Sequence, residues 1–164
     1  MTDQSSTSAN TSFGYREVAE AERQRLFNQV FADVAARYDL MNDLMSGGLH
    51  RLWKNDLIAA LDPPRGAVPY RLLDVAGGTG DVAIRYALAS GTEASAVILD
   101  ISPEMLEVGK SKVRDASLDD RIALTQGNAE ALPFAGKSFH AYTIAFGIRN
   151  VTHIDRALAG PGIR

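Results

Sequence analysis

The chain has 164 residues and a formal net charge of −3, and 46% of its residues are hydrophobic. This content can bury one hydrophobic core, so the composition excludes a fibrous or wholly disordered protein and indicates a single domain. The absence of cysteine excludes disulfide bridges, thiolate metal sites and a thiol nucleophile. The slightly acidic balance provides no general attraction to phosphate backbones, so we expect no nucleic-acid partner.

The N-terminal part predicts a polar tail followed by helices. Residues 1–22 begin with a Ser- and Thr-rich stretch that cannot offset the entropy of ordering, and we expect a disordered or weakly ordered tail there. Residues 23–164 are expected to form the domain. Apolar residues three and four apart predict one helix from Phe27 to Tyr38 and another from Leu49 to Leu61, the latter ended by Asp62-Pro63-Pro64.

From Tyr70 onward, short apolar runs alternate with helical patterns. The runs predict strands over 70–76, 94–99, 121–126 and 141–145. The intervening patterns predict helices over 81–89 and from Pro103 to about Arg114, with Ser102 as the N-cap of the second. Alternating strands and helices indicate an α/β fold with a parallel sheet, in which we expect the strand order third, second, first, fourth.

A glycine loop follows the first strand and opens the next helix. Gly78 and Gly80 let the backbone approach a ligand closely, and Asp100, at the end of the next strand, can accept both hydroxyls of a ribose. A glycine turn that merely joins a strand to a helix is the plainer alternative. The succession of strand, loop, helix and acid favours a nucleotide-type site.

Two further acids indicate which nucleotide the site holds. Asp74 in the strand and Asp81 at the start of the helix flank the position where a dinucleotide would place its pyrophosphate, and they would repel it. A cationic ligand such as S-adenosylmethionine fits better, which predicts methyl transfer. An NAD-dependent oxidoreductase is a minor alternative, and Asp81 can also be an ordinary acid at a helix N-terminus.

Four segments, in this order, resemble the UbiE/COQ5 methyltransferases of ubiquinone and menaquinone biosynthesis. They are the N-terminal signature at 37–54 (RYDLMNDLMS and LHRLWK), LDVAGGTGD at 73–81, GNAEALPF at 127–134 and FGIRNV at 146–151. The resemblance covers about residues 24–158. It implies a class I S-adenosylmethionine-dependent methyltransferase fold: a Rossmann-like, doubly wound parallel sheet preceded by N-terminal helices. The implied reaction is C-methylation of 2-methoxy-6-polyprenyl-1,4-benzoquinol, demethylmenaquinol or both.

The resemblance also implies site residues for the cofactor, S-adenosyl-L-methionine. It places Thr79 near the amino-acid end of the cofactor, Asp100 on the ribose, and Asn128 with Ala129 at the adenine. The cofactor-binding residues predicted from the loop and the resemblance together are Gly78, Thr79, Gly80, Asp100, Asn128 and Ala129.

The predicted catalytic residues follow the fourth strand. Arg149 can stabilise the oxyanion of a quinol ring, with Asn150 beside it, although a solvated Arg at a loop is the plainer alternative in isolation. His50 is a further candidate proton acceptor, but a lone His on an amphipathic helix is more often packed or exposed. His140 and His153 have no ligand partners at a useful spacing, so we expect no metal site.

The resemblance stops near Ala159. The family continues with a helix, a Lys-Pro-Gly-Gly turn and three more strands, so we expect the last strands of the sheet to be missing from this chain. An inactive truncated fragment that retains at most weak cofactor binding is therefore the alternative to an active enzyme. Ala145 stands where family members can have a serine, so any hydroxyl contact there is absent.

The sequence and the implied substrate also predict the location and partners of the protein. The sequence has neither a long apolar span nor a signal-peptide layout, so we expect a cytoplasmic protein. A lipophilic quinol substrate adds the expectation of peripheral contact with the inner face of the membrane or with a quinone-biosynthesis complex. A homodimer is a further expectation.

Overall fold

A computed structural model describes residues 10–13, 16–19 and 49–159 of the chain, excluding the side chains of residues 10–19, His50, Phe146 and Ala159. In chain order its elements are β1 (Asn10–Phe13), β2 (Arg16–Ala19), α1 (Leu49–Leu61), β3 (Tyr70–Val75), α2 (Asp81–Ala89), β4 (Ala94–Asp100), α3 (Pro103–Asp115), β5 (Ile122–Gln126), β6 (Ala141–Thr143), a 3-10 helix (Phe146–Asn150) and α4 (Ile154–Ala159). The helix predicted from Phe27 to Tyr38 lies outside the described residues.

The main sheet contains β3 to β6, all parallel, in the order β5-β4-β3-β6. This confirms the α/β class and the predicted strand order. In the register of the sheet, Asp74 on β3 lies between Ile98 on β4 and Thr143 on β6. Because parallel strands end at the same edge, the loops that follow these strands meet there, and this edge is where open α/β sheets bind ligands.

The two faces of the sheet are covered differently. On one face of the sheet, strand side chains such as Leu72 and Ile98 pack against α1, α2 and α3, and Tyr86 of α2 is fully buried there. The opposite face, with Leu73 and Val97, packs against Phe139 and the non-helical segment 127–140. Helix α4 joins this second face through the Tyr142 hydroxyl, which donates to the Ala157 carbonyl at 2.8 Å.

Local signals account for the helix boundaries. Ser102 caps α3 by accepting the Met105 N–H at 3.2 Å, and Pro103 occupies the first turn, as predicted. Lys112 and Arg114 lie in the last turn of α3, where cations favour the helix dipole. Helix α1 ends before Asp62, whose φ of 42° and two following prolines prevent continuation.

Two strands fall where a weakly ordered tail was expected. β1 and β2 pair antiparallel, with Asn10 opposite Ala19 and Phe13 opposite Arg16. The expectation of a tail came from the scarcity of apolar residues at the start of the chain, and such a count takes no account of backbone pairing between neighbouring segments. The boundary of the domain near residue 22 lies outside the described residues and stays a prediction.

We expect truncation of Phe139 to be costly for folding. Its ring is fully buried, meets the Phe134 ring edge-on at 5.0 Å and lies 4.8 Å beneath the Arg71 guanidinium. Phe139→Ala should lower the free energy of unfolding by about 3 to 5 kcal/mol in urea denaturation. The control Leu88→Ala removes a side chain that is 67% exposed and should change it by less than about 0.5 kcal/mol. A comparable small change for both variants would contradict the packing of this face.

Candidate functional site

The glycine loop connects β3 to α2 and is held close to β4. The Gly77 N–H donates to the Leu99 carbonyl at 3.2 Å, and the Gly80 N–H donates back to the Gly77 carbonyl at 2.9 Å. Gly80 has a φ of 79°, and a Cβ there would lie 2.5 Å from Ile98 Cδ1. Only glycine fits this position without strain, so the sequence signal of the loop has a direct steric cause.

Asp100 binds the loop from the end of β4. Its Oδ2 accepts the Gly78 N–H at 2.7 Å, and its Oδ1 accepts the Ser102 N–H at 3.0 Å. Burial raises the pKa of this carboxyl, and the backbone donors Ser102 and Gly78 counteract the rise. A carboxylate has about four acceptor positions, so capacity for ribose hydroxyls remains. Asp100 is therefore a structural anchor of the loop as well as a predicted cofactor contact.

The segment after β5 reaches the same edge of the sheet. The Gly127 N–H donates to the Asp100 carbonyl at 2.9 Å, which places the next two residues, Asn128 and Ala129, beside the end of β4. The Asn128 side chain accepts the Glu130 N–H at 2.9 Å and closes a short turn. The structure thus brings the predicted loop, ribose and adenine residues together at the ends of three adjacent strands.

The Arg149 segment packs against the loop from the other side. Arg149 and Asn150 lie in the 3-10 helix after β6, with Arg149 exposed and Asn150 half-buried. A Cβ on Gly147 would come within 3.0 Å of the Ala76 carbonyl, so this helix and the start of the glycine loop are in close contact. The predicted catalytic pair therefore lies at the edge that carries the predicted cofactor residues.

Glu130 connects the segment after β5 to the segment after β6. Its Oε1 accepts the backbone N–H groups of Thr152 at 2.8 Å and His153 at 3.0 Å, just before α4 begins. These bonds cross 22 and 23 residues of sequence. They tie the predicted adenine-binding turn to the chain that follows Arg149.

The described contacts do not test the roles predicted for Thr79 and His50. Thr79 is 2% exposed, and its hydroxyl accepts a hydrogen bond from Lys112 Nζ on α3 at 3.1 Å. Its predicted contact with the amino-acid end of the cofactor stays a prediction. His50 lies in the first turn of α1, and because its side chain is outside the described part of the chain, its catalytic role stays a prediction too. Within the described residues, no cluster of His, Asp and Glu could hold a metal ion.

Asp74 lies beneath the loop and is 1% exposed. Its Oδ1 accepts the Thr143 hydroxyl at 2.8 Å, whereas its Oδ2 has no hydrogen-bond partner in the described part of the chain. Burial raises the pKa of Asp74 to about 7, against the opposing effect of the Thr143 hydrogen bond. An acid with an unpartnered oxygen at this position can accept a hydrogen bond from, or an ionic contact with, a cationic ligand.

The structure changes part of the electrostatic argument made from the sequence. Lys54 on α1 is 6% exposed, and its Nζ lies 2.6 Å from Asp81 Oδ2; Arg85 Nε is 3.4 Å from the same oxygen. Burial disfavours the ionised form of Asp81, but the bond and charge of Lys54 outweigh it and lower its pKa. The charge of Asp81 is thus compensated by Lys54 and Arg85, so Asp74 and Asp100 are the acids near the loop that remain available to a cationic ligand.

Sequence reasoning missed Lys54, Thr143 and Glu130 as site residues. Lys54 ends the quoted LHRLWK segment and Glu130 lies within GNAEALPF, so both were in view, but nothing local indicates their distant partners. Thr143 can be recognised as a site residue only from the register of β6 against β3, which places it opposite Asp74.

Comparisons with solved structures identify the fold. The [4+2]-cyclase SpnF superposes with a TM-score of 0.65 at 21% identity, covering 83% of this chain and 53% of that one. A SAM-dependent methyltransferase from Aquifex aeolicus superposes with a TM-score of 0.59 at 14% identity, covering 67% and 58% respectively. The sheet and glycine loop thus define a Rossmann-like α/β domain of class I methyltransferase type, a fold that also hosts other chemistry.

The family comparison is more specific. The model of the ubiE/COQ5 methyltransferase family matches residues 11–160, and the chain belongs to that family. It is 58% identical over 148 residues to the ubiquinone/menaquinone biosynthesis C-methyltransferase UbiE of Rhodopseudomonas palustris. The match covers 90% of this chain and 58% of the relative, so the chain spans little more than half the length of that protein.

We expect the Lys54–Asp81 pair to stabilise the packing of α1 against α2. Lys54→Met should lower the free energy of unfolding by about 2 to 3 kcal/mol near neutral pH, because it leaves a mostly buried carboxylate without its main partner. Asp81→Asn should have a similar effect, and the double variant should lose less than the sum of the two. Lys110→Met, at an exposed position on α3, is the matched control.

The stability that the Lys54–Asp81 pair contributes depends on pH. The folded pKa of Asp81 lies below its ordinary value of 3.8, so the contribution of the pair is present above that value and disappears as the pH falls through the folded pKa. Urea unfolding of the wild type and Lys54→Met at about pH 7 and pH 3 measures this difference. An equal difference at both pH values would contradict the ion-pair interpretation.

Proposed function

We propose that this chain carries the cofactor-binding half of an S-adenosyl-L-methionine-dependent C-methyltransferase. The observation that carries the proposal is the convergence of the glycine loop, Asp100 and the Asn128 turn at three adjacent strand ends, above the buried acid Asp74. Family membership and the name of the R. palustris relative support methyl transfer to a quinol. The proposed substrates are 2-methoxy-6-polyprenyl-1,4-benzoquinol and demethylmenaquinol.

The residues present fit this cofactor. Oδ2 of Asp74 is buried and has no donor in residues 49–159, so it suits a ligand that carries positive charge near the loop. Asp100 holds Gly78 in place and retains acceptor capacity for ribose hydroxyls, and the Asn128 turn lies at the next strand end for the adenine. A pyrophosphate would bring negative charge towards Asp74 and Asp100 and could not compensate the ionised form of either acid, which disfavours a dinucleotide.

The cofactor supplies an electrophilic methyl group on a sulfonium. The remaining task is to make a quinol ring carbon nucleophilic and to align it, and positioning contributes much of the rate of such a displacement. Arg149, exposed at the edge of the site, is proposed to stabilise the phenolate oxygen, and Asn150 to orient the ring. A new bond would join the methyl to the ring carbon as the methyl–sulfur bond breaks with S-adenosylhomocysteine as the leaving group, and that carbon would then lose its proton to restore the aromatic ring. His50 is the proposed acceptor for a proton.

The proposed location and partners follow from the chemistry of the proposed substrate. No helix in the described residues has the length and apolar character needed to cross a membrane. A polyprenyl quinol resides in the bilayer, so an enzyme acting on it must reach a membrane surface or receive the substrate from a partner. We therefore propose peripheral contact at the inner face of the membrane, and assembly as a homodimer or within a quinone-biosynthesis complex.

Ligand binding to the chain tests the cofactor. Calorimetry should show S-adenosylhomocysteine binding and no binding of NADH. Asp100→Ala should weaken that binding by about 1.5 to 3 kcal/mol, roughly 10- to 150-fold in Kd, since hydrogen bonds to a charged acceptor are lost. Asp120→Ala, an exposed acid after α3, is the control, and thermal melts of both variants establish that they are folded. NADH binding with S-adenosylhomocysteine excluded would overturn the methyltransferase assignment.

Turnover tests the catalytic assignment. Arg149→Ala should lower kcat for a demethylated quinol by on the order of 10² while leaving the Kd for S-adenosylhomocysteine nearly unchanged, as for loss of an oxyanion stabiliser. Arg149→Lys should retain part of the activity because it keeps the charge. Wild-type turnover in Arg149→Ala would place the chemistry elsewhere.

A second candidate is that residues 1–164 on their own bind cofactor and turn over slowly or not at all, because the matched relative extends beyond the region that they cover. The same assay should therefore include a chimera that adds the C-terminal portion of the R. palustris relative, which the match leaves uncovered. Turnover in the chimera without turnover in the chain would support this second candidate. Robust turnover by the 164-residue chain would exclude it.

A further inference from the structure

Asp74 and Thr143 form a polar pair in an otherwise apolar part of the sheet. Asp74 is 1% exposed and Thr143 is 5% exposed. The parallel register places them directly opposite each other on β3 and β6, so the sheet itself fixes the position of the hydroxyl. At 2.8 Å from Asp74 Oδ1 and 3.5 Å from the Leu73 carbonyl, the Thr143 hydroxyl donates to the carboxyl.

The second oxygen of Asp74 points towards the glycine loop. A Cβ on Gly77 would lie 2.8 Å from Oδ2, so the absence of a side chain at residue 77 leaves room between the carboxyl and the loop. Oδ2 has no hydrogen-bond donor among the residues that the structure describes. A buried, unpartnered oxygen is unfavourable in an ionised carboxylate, and it becomes favourable when it carries a proton or faces a cation.

Charged groups from the neighbouring elements act on Asp74 in opposite directions. Desolvation is the largest effect, and the pKa of Asp74 is raised to about 7. The Thr143 hydrogen bond, the Ala83 N–H on α2 and the charge of Lys54 on α1 lower the pKa. The charge of Asp100 on β4 raises it further. Lys54 is itself engaged with Asp81 on α2. On β6, the pKa of Tyr142 is raised by burial and by Asp74, so this phenol is neutral near pH 7.

Asp100 is the alternative holder of a proton at this edge. Both of its oxygens accept backbone N–H groups, from Gly78 and Ser102. Two such donors favour the ionised form, whereas Asp74 has one side-chain donor, the Thr143 hydroxyl, a smaller effect from the Ala83 N–H, and an Oδ2 without a hydrogen-bond partner among the described residues. Of these two buried acids, Asp74 therefore binds the proton more readily.

We propose that Asp74 holds a proton in the ligand-free protein and releases it to solvent when a cationic cofactor binds, with Thr143 as the positioning residue that holds the carboxyl. The inference rests on the proposed function for the identity of the ligand. Cofactor affinity then depends on pH through a residue that lies below the loop.

The sign of the pH dependence follows from linkage. Below about pH 7, Asp74 must lose its proton on binding, so affinity rises with pH by up to about tenfold per unit and levels off above the ligand-free pKa. Proton release approaches one per ligand at low pH and falls towards zero at high pH. Removal of the Thr143 hydroxyl should move this midpoint upward, because the hydroxyl favours the ionised form.

The experiment measures Kd and proton release for S-adenosylmethionine, which carries the sulfonium charge, by calorimetry between about pH 5.5 and 8.5, in two buffers of different ionisation enthalpy. Asp74→Asn should bind with a weak, nearly constant Kd and without the release seen in the wild type. Thr143→Val, close in shape to threonine, should shift the midpoint upward and weaken binding several-fold near pH 7. Thr143→Ser should behave like the wild type. Titration of the ligand's own amino group is common to all variants and cancels in the differences.

The outcomes separate this inference from the proposed function. If the wild type binds the ligand and Asp74→Asn releases as many protons on binding as the wild type does, the inference is overturned and the proposed function stays intact. A Thr143→Val profile identical to that of the wild type would overturn the role of Thr143. Absence of S-adenosylmethionine binding at every pH would overturn the proposed function and this inference with it. Thermal melts establish folding, and if Asp74→Asn is unfolded, the comparison of Thr143→Val with Thr143→Ser still decides the matter.

Discussion

The bonds made by the Asp100 carboxylate are the constraint on which this site depends. One oxygen accepts the Gly78 N–H of the loop after β3, and the other accepts the Ser102 N–H at the start of α3. A single side chain thereby fixes the end of β4, the glycine loop and the N-cap of a helix relative to one another. Charge-assisted bonds to backbone donors offset the desolvation of the buried acid, which explains how it is retained there.

Three acids surround the loop, and each has a different environment. Backbone amides hold Asp100, a lysine and an arginine form ion pairs with Asp81, and the Thr143 hydroxyl is the side-chain donor to Asp74. A count of acids in the sequence treats all three alike. The structure shows that their capacity to interact with a ligand differs, because the partners supplied by other elements determine which oxygen remains available.

The sequence predicted the elements that depend on local signals. Periodicity placed α1, α2 and the four strands of the main sheet within a few residues, and the Ser102-Pro103 pair located the start of α3. The loop and Asp100 were predictable because their spacing reflects a steric and hydrogen-bonding requirement. These are features in which the cause and the effect lie close together in the chain.

Contacts between distant residues could not be predicted in the same way. The Lys54–Asp81 pair joins residues 27 apart, and the Thr143–Asp74 bond joins residues 69 apart. Both require knowledge of helix packing or strand register, which no local pattern contains. The pairing of β1 with β2 was missed for a related reason, since composition measures burial and not backbone hydrogen bonding.

Glu130 makes the chain between residues 130 and 152 a closed ring, because the side chain at its start binds the backbone at its end. Strand β6, the 3-10 helix and Arg149 all lie inside this ring. Its length is fixed at both ends, by the turn after β5 and by the approach to α4. An inserted or deleted residue within it would either break the Glu130 bonds or move β6 out of register with β3. Evolutionary and engineered changes of length are therefore better tolerated outside this interval than within it.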